Sequence, residues 1–263
     1  MENKDVWASG DSYEPYVGRW SRLVAKEFLV WINAPQGVCW LDVGCGTGAL
    51  SQTILSLCDP EKIKGIDRSD GFVEYTRSKV TDPRATFETG DAQALPVNDA
   101  EYNVAVSGLV LNFVPQPEKM ISEMKRAVVD GGTVALYVWD YADKMQLMRH
   151  FWNAATELDP AVLELDESRR FSICNPAALS ELFQKSGLKQ VEARAIDVTT
   201  HFKDFDDYWN PFLGGQGPAA AYAMSLNDEK RTQLREKIRE GLPFDSDGSI
   251  PLIARAWGGK GIK

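Results

Sequence analysis

Three glycines and three acids at strand-end spacings are the residues of this chain whose types can do chemistry. In Leu41-Asp42-Val43-Gly44-Cys45-Gly46-Thr47-Gly48 an apolar run breaks into a glycine-rich turn, with Asp42 close to the break. Glycine at Gly44, Gly46 and Gly48 removes side chains where backbone must approach a ligand. Asp42 adds a carboxylate at the mouth of that turn, which repels a pyrophosphate and attracts a ligand carrying an ammonium and a sulfonium. The glycines alone do not decide between these, because Gly44, Gly46 and Ala49 also satisfy the looser dinucleotide pattern G-x-G-x-x-A.

The other two acids narrow the choice. Asp67 closes Gly65-Ile66-Asp67, about 20 residues past the turn, the spacing at which an acid accepts hydrogen bonds from both ribose hydroxyls. Capping the next helix is its competing role, one that Ser69 or Asp70 could equally fill. Asp91, in Gly90-Asp91-Ala92-Gln93-Ala94-Leu95-Pro96, can accept from an adenine amine while the Ala92 N–H donates to a ring nitrogen. An adenosine with an amino-acid tail, as in S-adenosylmethionine, uses all three acids, whereas a dinucleotide leaves Asp42 and Asp91 idle. Cys45 within the turn, Arg68 beside Asp67, and Gly108 after the fourth strand complete the expected cofactor set. Tyr16 and Arg19, on a helix that would close as a flap, are added to it.

Methyl transfer from a sulfonium is an in-line displacement, so holding the acceptor atom within about 3.5 Å of the methyl supplies much of the acceleration and a base is optional. Candidate bases are His201, Asp140 and His150, histidine being preferred for its near-neutral pKa. Asn112, Trp139, Tyr141, Trp209 and Phe212, with Tyr208, are candidates for the acceptor wall, where aromatic faces also attract a sulfonium.

These residues need a scaffold that sets them at strand ends. From Val38 onward short apolar strands alternate with helical segments, the pattern of a parallel sheet with crossover helices, an α/β fold. Strands are expected at 38–43, 62–66, 85–88, 102–107 and 133–139, with helices at about 48–58, 70–80 and 117–129, the last stopped by Asp130-Gly131-Gly132. Further on, helices are expected near 143–158, after the Asn175-Pro176 cap and at 227–241, and strands at 190–202 and 249–257. An amphipathic helix over 13–33, led by Tyr13, Tyr16 and Trp20, precedes the sheet. Residues 1–36 are therefore taken as an N-terminal helical cap and 37–263 as the main domain, with an insertion at about 203–245. Within that insertion Gly214 to Pro218 should be an irregular, mobile lid.

The 263 residues suffice for one well-filled α/β domain with decorations. A hydrophobic fraction of 44% and a charged fraction of 25% are ordinary for a globular protein. A net charge of -9 argues against broad nucleic-acid backbone binding, which needs clustered Lys and Arg. No apolar run reaches membrane-span length, and the N-terminus lacks a signal-peptide core, so a cytoplasmic setting is expected. Cys39, Cys45, Cys58 and Cys174 match neither metal nor disulfide spacing; they read as small buried residues, and no metal is expected.

Over residues 38–140 the chain resembles the class I S-adenosylmethionine-dependent methyltransferases, specifically the type-11 group that includes quinone-biosynthesis methyltransferases. The resemblance rests on LDVGCGTG at 41–48, GID at 65–67, GDAQALP at 90–96 and NFVPQPEKMISEMKRAVVDGG at 112–132. It implies a Rossmann-like doubly wound sheet of seven strands, mostly parallel with an antiparallel last strand. It also implies that Asp42, Gly44, Gly46 and Gly48 hold the methionine part, Asp67 the ribose, and Asp91 with Ala92 the adenine. The segment after the fourth strand, through Gly108, Leu109 and Asn112, would line the methyl-transfer side. It lacks the Asn/Asp-Pro-Pro-aromatic signature of amino-methylating nucleic-acid enzymes, which points to a small-molecule acceptor. An NAD(P)-dependent oxidoreductase and a non-catalytic S-adenosylmethionine-binding protein stand as the alternatives; no Tyr-x-x-x-Lys pair supports the first.

Overall fold

A computed structural model describes residues 18–214 and 217–263. Strand and helix alternate through the first half: β1 (Cys39–Val43), α2 (Ala49–Leu57), β2 (Lys62–Asp67), α3 (Asp70–Lys79), β3 (Ala85–Thr89), β4 (Tyr102–Gly108), α4 (Pro117–Ala127) and β5 (Val128–Trp139), preceded by α1 (Arg19–Ile32). After them come α5 (Gln146–Leu158), α6 (Glu167–Arg170), α7 (Pro176–Lys185), β6 (Lys189–Phe202), α8 (Phe205–Trp209), α9 (Gly217–Ser225), α10 (Asp228–Gly241) and β7 (Ile250–Ile262).

The strands form one seven-stranded sheet in the order β3-β2-β1-β4-β5-β7-β6. Its first five are parallel, with a crossover helix between successive strands except from β3 to β4, which a loop joins. The order reverses at β1, whose neighbours are β2 and β4, and a ligand crevice opens at the carboxyl ends beside such a reversal. Register sets the first acid there: Asp42 lies opposite Gly65 on one side and Val106 on the other. The last strand runs antiparallel, since the Gly131 N–H meets the Lys263 carbonyl near the start of β5 and the Asp140 N–H meets that of Arg255 just past its end.

The chain divides into two compact units. The first, residues 21–138, 173–196 and 256–263, holds β1 to β4. Its centre is the fully buried Trp40, Leu41, Val43, Ala105, Val106 and Leu136, and Phe28 of α1 packs edge-on to Tyr137 at 4.7 Å. The second, with described residues 18–20, 139–172 and 197–255, has an aromatic core in which Phe151 stacks on Phe212 at 4.6 Å and Tyr208 donates its hydroxyl proton to the Leu147 carbonyl. Among the described residues no helix is long and apolar enough to cross a membrane.

Local expectations differ in three places. The helix expected over 117–129 ends at Ala127, and Val128 already pairs with Tyr102. β-Branched Val128 and Val129 favour the strand, and the Gly131-Gly132 backbone is drawn into bonds with Lys263 instead of forming a helix stop. β7 likewise extends to Ile262, well beyond the expected 249–257. The described ends of the Gly214 to Pro218 segment are more regular than expected: Gly214 closes a 3-10 turn (Asn210–Gly214), and Gly217 and Pro218 open α9. Proline fits the first helical turn, where a missing N–H leaves no bond unmade. Gly215 and Gln216 lie outside the described residues.

Candidate active site

The turn after β1 is built to be tight and closed on its strand side. Gly44 has φ +76°, and a Cβ there would come within 2.4 Å of Val110 Cγ2, so only glycine fits. Gly46, at φ +52°, meets nothing within 4 Å of a Cβ position, so space is open above it. The N–H groups point back into the protein. Those of Gly44 and Cys45 donate to the Ile66 carbonyl at 2.6 and 3.0 Å, that of Gly46 to Asp67 Oδ2 at 2.9 Å, and that of Gly48 to the Cys45 carbonyl at 2.8 Å. A pyrophosphate cradle needs such N–H groups free. Cys45 sends its side chain inward among Val73, Val80 and Phe87, and burial pushes its thiol pKa well up. Its backbone, not its thiol, is therefore the part of Cys45 that belongs to the turn.

Asp42 is fully buried, with Oδ2 accepting from Ser51 Oγ at 2.6 Å. Oδ1 has no partner among the described residues. Desolvation pushes this carboxyl up to about 7, against the pull of the Ser51 hydrogen bond and with the added repulsion of Asp67. A buried carboxylate oxygen without a donor is costly, and a ligand ammonium would satisfy it. The pairing with Ser51 was not anticipated; its only sequence signal is a hydroxyl set among Ala49, Leu50 and Ile54 on the buried face of α2.

Asp67 uses both oxygens on the main chain: Oδ2 accepts from Gly46 N–H and Oδ1 from Ser69 N–H, each at 2.9 Å. Helix capping falls to Ser69, whose Oγ accepts from Phe72 N–H. Asp67 therefore ties the glycine turn to the end of β2, and each oxygen keeps a second lone pair for a hydroxyl. Burial raises its pKa. Asp91 is exposed and folds its own turn, Oδ1 accepting from Gln93 N–H at 2.8 Å; that bond holds its carboxyl below the usual range. Ala92 is half-buried beside it, and Arg68 is exposed, its charge favouring the ionised forms of Asp67 and Asp91. At the end of β4, Gly108 lies where a Cβ would meet the Tyr137 hydroxyl at 2.6 Å.

Beyond Gly108 a short 3-10 turn (Leu111–Phe113) carries Asn112. Val110 seats this turn on Gly44, and Asn112 Nδ2 is buried with no partner among the described residues. The other expected acceptor and base residues lie in the second unit. Trp139 and Tyr141 are buried on either side of Asp140, and the Tyr141 ring lies 5.6 Å from Phe171. Trp209 and Phe212, at 4% and 0% exposure, are packed into the aromatic core.

Asp140 folds its own turn, its two oxygens accepting N–H bonds from Asp143 and Lys144 at 3.3 Å each. His201 is exposed on β6, with Asp247 as its electrostatic neighbour, and His150 is half-buried, where desolvation lowers its pKa. Arg19 pairs with Asp207 at 2.9 Å and lies over the rings of Trp20 and Phe202 at 4.3 and 4.8 Å. Its guanidinium is held within the second unit by these contacts. Tyr13 and Tyr16 lie outside the described residues.

Residues 41–136 match a family model described as a methyltransferase domain. Among curated proteins, the chain is 26% identical over 116 residues to a trans-aconitate 2-methyltransferase of Variovorax paradoxus, covering 44% of each chain. It is 27% identical over 187 residues to a 2-methyl-6-phytyl-1,4-hydroquinone methyltransferase of Synechocystis, covering 70% of this chain and 57% of the relative. The matched regions span less than half the length of each of the first relatives. Among solved structures, a phosphoethanolamine N-methyltransferase of Haemonchus contortus in complex with S-adenosylhomocysteine superposes with a TM-score of 0.60 at 15% identity, covering 96% of this chain and 57% of that one.

Proposed function

We propose that this chain, a class I S-adenosylmethionine-dependent methyltransferase by its domain match and its fold, methylates a small-molecule acceptor. The observation that carries the reading is the fully buried Asp42 carboxylate with an unpartnered Oδ1, a demand for a cationic donor that a nicotinamide dinucleotide does not meet. The inward bonds of the Gly44, Cys45, Gly46 and Gly48 N–H groups support the same choice, since these four donors are not available to a pyrophosphate.

When bound, S-adenosylmethionine supplies an electrophilic methyl on a sulfonium whose thioether is an excellent leaving group. Asp42 Oδ1 holds the ammonium of the methionine tail, with Ser51 fixing the carboxylate's rotamer. Asp67 accepts from the ribose hydroxyls through its remaining lone pairs while keeping Gly46 in place. Asp91 and Ala92 take the adenine edge. Gly108 and Asn112 follow β4 on the methyl-transfer side, and the chain's contribution to the reaction there is positioning. All four cysteines are free thiols, which suits a cytoplasmic setting.

Calorimetry with S-adenosylmethionine, S-adenosylhomocysteine and NAD tests the cofactor. Binding of the first two and not the third is expected; NAD binding alone overturns the reading. A labelled-methyl assay over a metabolite extract then separates an enzyme from a non-catalytic binder.

A further inference from the structure

Helix α3 reaches back to the glycine turn through a side chain that belongs to none of the sequence motifs. Thr76, fully buried, lies about two turns along α3 from its capping residue Ser69. A threonine inside a helix commonly bonds the carbonyl four residues back, as Thr53, Ser122, Ser180 and Thr232 do with their hydroxyls in this chain. Thr76 crosses to the turn instead. Its Oγ1 donates to the Gly46 carbonyl at 2.6 Å, and its Cγ2 stands 2.8 Å from where a Cβ of Gly48 would be.

Gly46 has no side chain and nothing within 4 Å of a Cβ position, so sterics alone do not fix its backbone. Hydrogen bonds from outside the turn do. Its N–H donates to Asp67 Oδ2 at 2.9 Å and its carbonyl accepts from Thr76, while the Gly48 N–H closes the turn on the Cys45 carbonyl and leaves both Gly46 groups to those partners. The bonds form a closed circuit. Asp67 Oδ1 accepts from Ser69 N–H at 2.9 Å, Ser69 Oγ caps α3 by accepting from Phe72 N–H at 3.3 Å, and α3 carries Thr76 back to Gly46. A carboxylate that accepts from two donors keeps one direction only while both donors are held. The helix holds Ser69, and Thr76 holds Gly46.

Resting on the methyltransferase reading above and its assignment of Asp67 to the ribose, we infer that Thr76 is a positioning residue of the cofactor site. By fixing Gly46, it sets the direction in which Asp67 offers its remaining lone pairs to the ribose hydroxyls, without itself touching the ligand.

The test reads binding: S-adenosylhomocysteine and its 2′-deoxy analogue are titrated calorimetrically into the full chain. Thr76→Val keeps the shape of the side chain and loses the hydroxyl, so it should weaken S-adenosylhomocysteine binding about three- to tenfold. Thr76→Ala should do the same. Thr76→Ser, which restores the donor, should bind within about twofold of wild type. Removing the 2′-hydroxyl should cost the wild type about tenfold and Thr76→Val distinctly less, because a misdirected Asp67 has less to lose. A Thr76 that only supports the fold would lower the melting temperature and leave that ratio unchanged. Unchanged affinity in folded Thr76→Val, an undiminished 2′-hydroxyl penalty in it, or equally weak binding by Thr76→Ser overturns the inference and leaves the cofactor reading standing. A wild type indifferent to the 2′-hydroxyl overturns the ribose assignment along with it. Failure of the wild type to bind S-adenosylmethionine or S-adenosylhomocysteine overturns the methyltransferase reading as well.

Discussion

Ser51 Oγ donates to Asp42 Oδ2 at 2.6 Å, while Oδ1 of the same fully buried carboxylate has no partner among the described residues. One oxygen is thus fixed by the fold, and the other is open to a ligand donor. Burial pushes this carboxyl up to about 7, and the unfolded chain leaves it near the ordinary aspartate value.

Stability of the free protein should therefore fall with rising pH. Between about 4 and 7 the folded protein keeps a proton on Asp42 that the unfolded chain has lost, so this group's contribution declines across that window, by up to about 4 kcal/mol. Glu167, also pushed up to about 7 by burial, acts in the same direction. Asp42→Asn should raise the melting temperature of the free protein at pH 8 and abolish S-adenosylmethionine binding. Thermal melts at pH 5 and 8, with and without cofactor, read both effects; a variant less stable than wild type at pH 8 would count against them.

Cofactor affinity should rise as pH increases through about 7, as Asp42 ionises to meet the ammonium. Ser51→Ala removes the hydrogen bond that favours the ionised form, so this rise should move to higher pH. Calorimetry from pH 6 to 8.5 on both proteins measures the displacement, and superimposable profiles would refute it.

Asp67→Ala should weaken S-adenosylmethionine binding by about 1.5 to 3 kcal/mol, the range for hydrogen bonds to a charged acceptor. Because Asp67 also anchors Gly46 and Ser69, the melting temperature should drop as well. Unchanged affinity in a folded variant would remove Asp67 from the ribose site.

Gly44→Ala should cost stability in two ways, through its positive φ and through a clash with Val110, together about 2 to 4 kcal/mol. Val110→Ala in the same chain should restore only the clash part. A double-mutant cycle by urea denaturation checks this, and simple additivity would mean the two side chains do not meet.

Phe212→Ala should act on folding, destabilising by about 3 to 5 kcal/mol, because the ring is wholly buried against Phe151. Denaturant midpoints should shift strongly. A variant of wild-type stability with a raised acceptor KM would return Phe212 to the acceptor wall.

The strands and turns that carry the three acids were largely legible in the sequence. LDVGCGTG, GID and GDA carry their meaning in short spacings, and a parallel α/β sheet places whatever follows each strand on one edge. The acceptor end was legible far less. Trp209, Phe212 and Tyr208 have the composition of a ligand wall, yet aromatic residues serve equally as core, and only their partners decide. His201 and Asp140 were chosen for their ionisation chemistry and for expected positions at strand ends; exposure and backbone hydrogen bonds determine what they do.

The sequence by itself therefore determined the strand-to-turn geometry, the three acids and the positions along the chain of the first five strands, because each follows from local propensity and spacing. Tertiary structure alone decided which atoms remain for a ligand. Ser51 takes one oxygen of Asp42, Gly46 and Ser69 take the first lone pairs of Asp67, and no described residue meets Asn112 Nδ2. Hydrogen-bond satisfaction in a buried site depends on groups brought together from separate segments, and spacing along one chain carries no record of which partners arrive.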